Sequence, residues 1–116
     1  MQIDERAVAG VTVLTVSGEI TLNSGGGQAL KEKVAALMQQ GQRQLVLELG
    51  GVTYVDSAGL GQLVQVRLTT AGRGGTLKLA NTGPRLRQLL TVAKLSSLFD
   101  AHETEAAAVA SFGAGV

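Results

Sequence analysis

The spacing of apolar residues along the chain changes period several times, and each change marks an element. Residues 2–8 read as a first short strand, and the Ala9-Gly10 pair turns the chain. Val11-Thr12-Val13-Leu14-Thr15-Val16-Ser17 is rich in β-branched residues and predicts a second strand, paired with the first as a hairpin. Gly18-Glu19-Ile20-Thr21-Leu22 leaves that strand. Asn23-Ser24-Gly25-Gly26-Gly27 reads as a flexible connection, with Asn23 or Ser24 placed to cap the first helix. Over residues 28–40 the period becomes helical. Leu30, Val34, Leu37 and Met38 form an apolar stripe, Lys31, Glu32 and Lys33 face out, and Gly41 is a natural stop.

Residues 44–49 are a nearly unbroken apolar run, as in a central strand covered on both faces, and Gly50-Gly51 predicts a turn after it. A second helix is expected over 57–72, with Leu60, Leu63, Val64, Leu68 and Ala71 on one face. Gly72-Arg73-Gly74-Gly75 ends it, and residues 76–80 predict a further strand. Asn81-Thr82-Gly83-Pro84 opens a third helix, with Pro84 near the first turn and Leu86, Leu89 and Leu90 on the buried side. Leu98-Phe99 is expected to add a short last strand. Residues 103–112 are Ala-rich and predict a final helix, and 113–116 a frayed tail.

Strands alternating with helices specify an α/β fold with parallel pairings made by right-handed crossovers. The early hairpin makes the sheet mixed. The expectation is one domain over 1–112, with a small mixed sheet of four or five strands and about four helices packed on it.

Composition narrows the function. Formal net charge is +1 and the cations are scattered, so no electrostatic footprint for nucleic acid is present. Aromatic residues are 3% of the chain, too few for a base-stacking surface. With no cysteine and His102 as the sole histidine, Cys-based or His-rich metal sites and thiol catalysis are excluded. No cofactor or metal is expected. The N-terminal residues are polar, and no run approaches the roughly 20 apolar residues of a membrane span, so a cytoplasmic protein without membrane insertion is expected.

The candidate chemistry lies in Tyr54-Val55-Asp56-Ser57-Ala58-Gly59-Leu60-Gly61, where a loop becomes a helix. Asp56 is a favoured N-cap, and Ser57 then falls near the first helical position with its hydroxyl toward solvent. The small Ala58 and Gly59 leave room for another protein's backbone. A hydroxyl there is suited to accept a phosphate, which would sit at the positive end of the helix dipole. Enzymatic readings fit less well. The nucleophile elbow needs glycine two residues before the serine, where Val55 stands, and His102, the only imidazole base, reads as a surface residue near the start of the last helix. Gly59-Leu60-Gly61 lacks the third glycine of a dinucleotide fingerprint, which would fall at Val64, and Gly25-Gly26-Gly27 is not followed by the Gly-Lys-Ser/Thr of a Walker loop.

Asp56-Ser57-Ala58-Gly59-Leu60-Gly61 resembles the D-S-S/T-G-L-G signature of the anti-sigma factor antagonists, bacterial proteins with a STAS domain. Gly18-Glu19-Ile20, Gly74-Gly75-Thr76-Leu77 and Leu95-Ser96-Ser97-Leu98-Phe99-Asp100 are similar to other landmarks of that family, in family order. The resemblance implies a STAS-like fold and a binding module without catalysis of its own. It implies phosphorylation at Ser57, an anti-sigma factor that is also a serine kinase as partner, and a phosphatase that resets the switch. It draws Asp56, Ser57, Ala58, Gly59, Gln62, Thr21 and Asn23 into one partner-binding site. The exposed side of the second helix (Gln62, Gln65, Arg67, Thr69) is expected to extend it. Two positions depart from the pattern. Thr21 stands where many members carry the aspartate of G-x-L-D, and Ala58 where Ser or Thr is usual. They leave room for the family's other role, an unphosphorylated accessory subunit of an ABC-type lipid transport system.

Overall fold

The computed structural model describes residues 1–113. Its elements are β1 (Gln2–Val8), β2 (Val11–Ile20), α1 (Gly26–Gln39), β3 (Gln44–Val55), α2 (Ser57–Gly72), β4 (Thr76–Ala80), α3 (Gly83–Val92), a 3-10 turn (Ser96–Leu98), β5 (Asp100–His102) and α4 (Glu105–Gly113). The five strands lie in one sheet in chain order. β1 and β2 are antiparallel, and the pairs β2/β3, β3/β4 and β4/β5 are parallel.

Crossovers of the usual right hand that all step the same way put their helices on one face of a sheet. The core obeys that rule. Leu14, Val16, Leu45, Leu47, Leu49, Leu77 and Leu79 point from the strands into a cluster with Leu30 and Val34 of α1, Leu63 and Val66 of α2 and Leu86 and Leu90 of α3. The alternate residues Val11, Val13, Val46 and Ala80 face the other way and are covered by Ala108, Val109 and Phe112 of α4. A strand buried on both faces loses its polar alternation, and 44–49 therefore reads as a continuous apolar run.

Several elements differ from expectation. Gly50-Gly51 is not a turn. β3 continues to Val55 and pairs Gly51 with Ser17, where a Cβ on Gly51 would come within 3.0 Å of the Ser17 side chain. The Glu48 carboxylate accepts the Gly50 N–H at 2.8 Å. β2 likewise runs on through Gly18, whose φ of 90° sits at a register shift against β3. The last strand is 100–102, because Leu98 closes the 3-10 turn and Phe99 turns into the core. α4 begins at Glu105 and ends at Gly113, so the frayed tail does not include Gly113; residues 114–116 lie outside those described.

α2 is rotated from its expected face. Gly59, Leu63, Val66 and Thr70 are the buried residues, whereas Leu68 is 48% exposed and Ala71 is exposed. Thr70 can lie inside because its hydroxyl donates to the Val66 carbonyl at 2.8 Å within the same helix. On α3, Leu86 and Leu90 are buried and Leu89 is half-buried. Among the described residues no helix is long and apolar enough to cross a membrane.

Candidate functional site

Where β3 ends, the backbone turns through Asp56 in extended conformation (φ −94°, ψ −179°) into the first turn of α2. Asp56 is the N-cap, as its sequence position implies. Its Oδ1 accepts the Gly59 N–H at 2.6 Å, and its carbonyl accepts the Leu60 N–H at 2.8 Å. Its second carboxylate oxygen does something the sequence does not signal. Oδ2 accepts the Leu22 N–H at 3.1 Å, from the loop after β2. The carboxylate is therefore a clamp between two segments, and its oxygens are committed inside the molecule.

Ser57 and Ala58 are exposed at the start of the helix. With the Gly59 and Leu60 amides already taken by Asp56, the amides of Ser57 and Ala58 remain for solvent or a visitor. Gly59 does not offer its surface to a partner. It is buried, and a Cβ there would lie 1.8 Å from the Ile20 carbonyl oxygen. The glycine lets the helix tip meet the end of β2.

The loop opposite is ordered by Ser24. Its Oγ accepts the Thr21 N–H at 3.1 Å and the Gly26 N–H at 3.1 Å, and faces the Glu19 carbonyl at 3.0 Å. Thr21 Oγ1 accepts the Ser24 N–H in return at 3.1 Å. Thr21 is 9% exposed, so its hydroxyl serves the loop and not a visiting surface. Glu19 is exposed, at the penultimate position of β2. Asn23 is exposed.

The glycine run is not a flexible connection either. Gly25 is the N-cap of α1 with φ 69°, and Gly26 and Gly27 are buried in the first turn. A Cβ on Gly27 would lie 2.5 Å from the Gln62 side chain, so the glycine brings α1 and α2 together. A cavity of about 200 Å³ opens beside this contact, lined by Thr21, Leu22, Gly27, Ala58 and Gln62 among others. Gln62 Oε1 is buried without a hydrogen-bond partner.

On α2, Gln65 is exposed, but Arg67 is half-buried and donates from Nε to the Leu98 carbonyl at 2.8 Å. It ties α2 to the 3-10 turn and is removed from the expected partner surface; Thr69 is half-buried. His102 ends β5 instead of opening α4, with Nε2 3.0 Å from Asp100 Oδ1 and out of hydrogen-bonding line. The surface that the site presents thus consists of Ser57, Ala58, Asn23 and the 75% exposed Leu22, supported from within by Asp56, Gly59 and Thr21.

A five-stranded mixed sheet with three helices on one face, one on the other and an exposed serine just after the Asp56 cap of the second helix defines a class of small α/β domain. Residues 2–108 match the family model of the STAS domain, and the chain belongs to that family. It is 36% identical over 87 residues to the anti-sigma-B factor antagonist of Bacillus subtilis, covering 75% of this chain and 77% of that one. It is 28% identical over 112 residues to BtrV of Bordetella bronchiseptica, which carries the provisional name of anti-sigma factor antagonist; 97% of this chain and 95% of that one are covered. The crystal structure of an anti-sigma factor antagonist from Mycobacterium paratuberculosis superposes with a TM-score of 0.81 at 24% identity, over 95% of this chain and 92% of that one.

Proposed function

We propose that this chain is an anti-sigma factor antagonist, a binding module without catalysis whose affinity is set by phosphorylation of Ser57. The names of the Bacillus subtilis and Bordetella bronchiseptica relatives support the first part. The observation that carries the second is the placement of Ser57. Its side chain is exposed on the first residue of α2, next to Ala58, while the neighbouring carboxylate is held by the Gly59 and Leu22 amides.

Unmodified, the Ser57 tip and the Leu22–Asn23 loop dock on an anti-sigma factor that is also a serine kinase. That partner then releases its sigma factor, and transcription starts. Transfer of phosphate to Ser57 ends the complex, and a phosphatase restores it. A phosphate adds about −1.5 to −2 charges at neutral pH. In a contact shaped for a neutral hydroxyl it brings steric clash, desolvation and repulsion from Asp56. A penalty of about 3 kcal/mol weakens binding roughly a hundredfold, enough for a switch without refolding. Such a protein works where the transcription apparatus is, in the cytoplasm.

The test is incubation of the chain and of Ser57→Ala with candidate partner kinases and ATP, with intact-mass measurement afterwards. One added phosphate on the wild type and none on the variant supports the reading. Stable binding to a transport ATPase with no phosphate on either form would favour the lipid-transport role instead.

A further inference from the structure

A second concave surface lies on the other side of the Asp56 turn, between the end of β3 and α3. A hollow of about 220 Å³ there is lined by Val52, Tyr54, Thr82, Arg85, Leu86 and Leu89 among others. It adjoins a hollow of about 340 Å³ that shares Tyr54, Arg85 and Leu89 and reaches Val92. Tyr54 is 47% and Val92 75% exposed, so the apolar lining faces water at these two residues, while Leu86 forms a buried floor.

One end of this groove is chemically distinct. α3 starts at Gly83 with no acidic residue in its first turn, and no side chain caps it. Its N-cap, Thr82, is in helical conformation (φ −65°), between Asn81 at φ 52° and Gly83 at φ 77°. Thr82 is 8% exposed, and its hydroxyl is buried without a hydrogen-bond partner. Such a group is costly to leave unpaired. Thr82 stands between this groove and another hollow bordered by Arg87 and Phe99. Arg85 is exposed, and no carboxylate among the described residues forms an ion pair with it. The uncapped Gly83 and Arg85 amides (Pro84 between them has no N–H), a dipole with its positive end outward and a free guanidinium favour an anionic oxygen, and the unpaired Thr82 hydroxyl lies just beneath them.

We propose that this groove binds a small amphiphile, a carboxylate on an apolar chain. The head sits at the start of α3 against Arg85 and the Thr82 hydroxyl, and the chain runs along Tyr54 and Leu89 toward Val92. The hollow at the start of α3 is about 220 Å³ and the one it adjoins about 340 Å³, so the head end of the occupant is small and its chain has the larger space. Positive charge at one end and an apolar lining along the rest match a molecule that is itself anionic at one end and apolar along the rest.

The test is titration of isotopically labelled full chain with sodium octanoate, read through amide chemical shifts, with 1-octanol and inorganic phosphate as separate arms. The expected result is saturable movement of the Gly83, Arg85 and Leu86 amides together with those of Val52 and Tyr54. Arg85→Gln raises Kd at least fivefold, and Thr82→Val at least threefold without lowering the melting temperature, because it removes an unpaired hydroxyl. Arg85→Gln is a surface change and keeps the test decisive if Thr82→Val misfolds. Octanol binding as tightly as octanoate, phosphate alone moving the same amides equally well, an unchanged Kd in Arg85→Gln, or no saturable shift would each overturn the proposal. None of these outcomes depends on whether Ser57 is phosphorylated.

Discussion

Asp56 and Leu22, far apart in the chain, are joined by a hydrogen bond of 3.1 Å from the Leu22 N–H to Asp56 Oδ2. The same carboxylate holds the Gly59 N–H at 2.6 Å. Removing it takes away a helix cap, worth about 0.5–2 kcal/mol, and a charge-assisted bond, worth about 1.5–3 kcal/mol. Because the two share one group and Asp56 is partly solvated, Asp56→Ala is expected to lose about 2–3 kcal/mol in urea denaturation. Asp56→Ser keeps a cap but cannot span to Leu22, and should fall between. Hydrogen exchange at the Leu22 amide should quicken in both variants. Wild-type protection at Leu22 in Asp56→Ala would show that the clamp has no energetic weight.

Gly59 and Gly61 are two residues apart and should respond oppositely to alanine. A Cβ on Gly59 meets the Ile20 carbonyl oxygen at 1.8 Å, a backbone atom that cannot rotate away. Gly59→Ala must push α2 off β2, and a loss above about 3 kcal/mol is expected. At Gly61 nothing lies within 4 Å, and the residue is helical. Gly61→Ala should stabilise by about 0.4–1 kcal/mol through the unfolded chain. Thermal melts of the two single variants decide it, and equal behaviour would contradict the packing described.

These contrasts show which parts of the molecule local pattern can reveal. The strand and helix order, the hairpin and the Asp56 cap come from spacing and residue type over a few neighbours. Contacts between distant segments have no such trace. Gly50-Gly51 carries turn composition, yet pairing with Ser17 holds it in β3. α2 has apolar residues on most of its circumference, so periodicity cannot select the face built on Gly59, Leu63, Val66 and Thr70. Thr21 and Gly59 lie beneath the candidate site and not on its surface, a distinction that rests on burial. The Ser24 network is within reach of the sequence, since Ser24 is one of two residues in position to cap α1, although it acts one place before the Gly25 cap.

Asp100 gives a pH dependence with a definite sign. Burial raises its pKa, but hydrogen bonding to Lys78 and the charges of His102 and Lys78 outweigh this, and the net shift is downward. Lys78 Nζ lies 3.2 Å from Asp100 Oδ2. A carboxylate with a depressed folded pKa stabilises the fold above its unfolded pKa of about 3.9, and that contribution is lost as pH falls through the folded value. Asp100 is 54% exposed, so the effect is that of a surface pair, below about 1 kcal/mol. Asp100→Asn should melt slightly lower than wild type at pH 7, and the difference should shrink as pH falls below about 3.9 toward the depressed folded value. A difference that grows toward acid would have the wrong sign.

Phosphorylation of Ser57 should leave the fold intact. The modified side chain projects from the first residue of α2 into solvent, and no buried group must move to admit it. Two electrostatic effects oppose each other. The helix dipole and the uncommitted amides at Ser57 and Ala58 favour the phosphate by about 0.3–1 kcal/mol. Asp56 repels it, but Asp56 is neutralised in part by the Gly59 and Leu22 amides that its oxygens accept. Their sum lies within about 1 kcal/mol of zero, which for a domain of this size shifts the melting temperature by no more than about 4–8 °C. Calorimetry on the phosphorylated and unmodified forms measures it directly. A fall well beyond that range would mean that the phosphate breaks the Asp56 clamp, and the switch would then act by unfolding the loop instead of by blocking a docking surface.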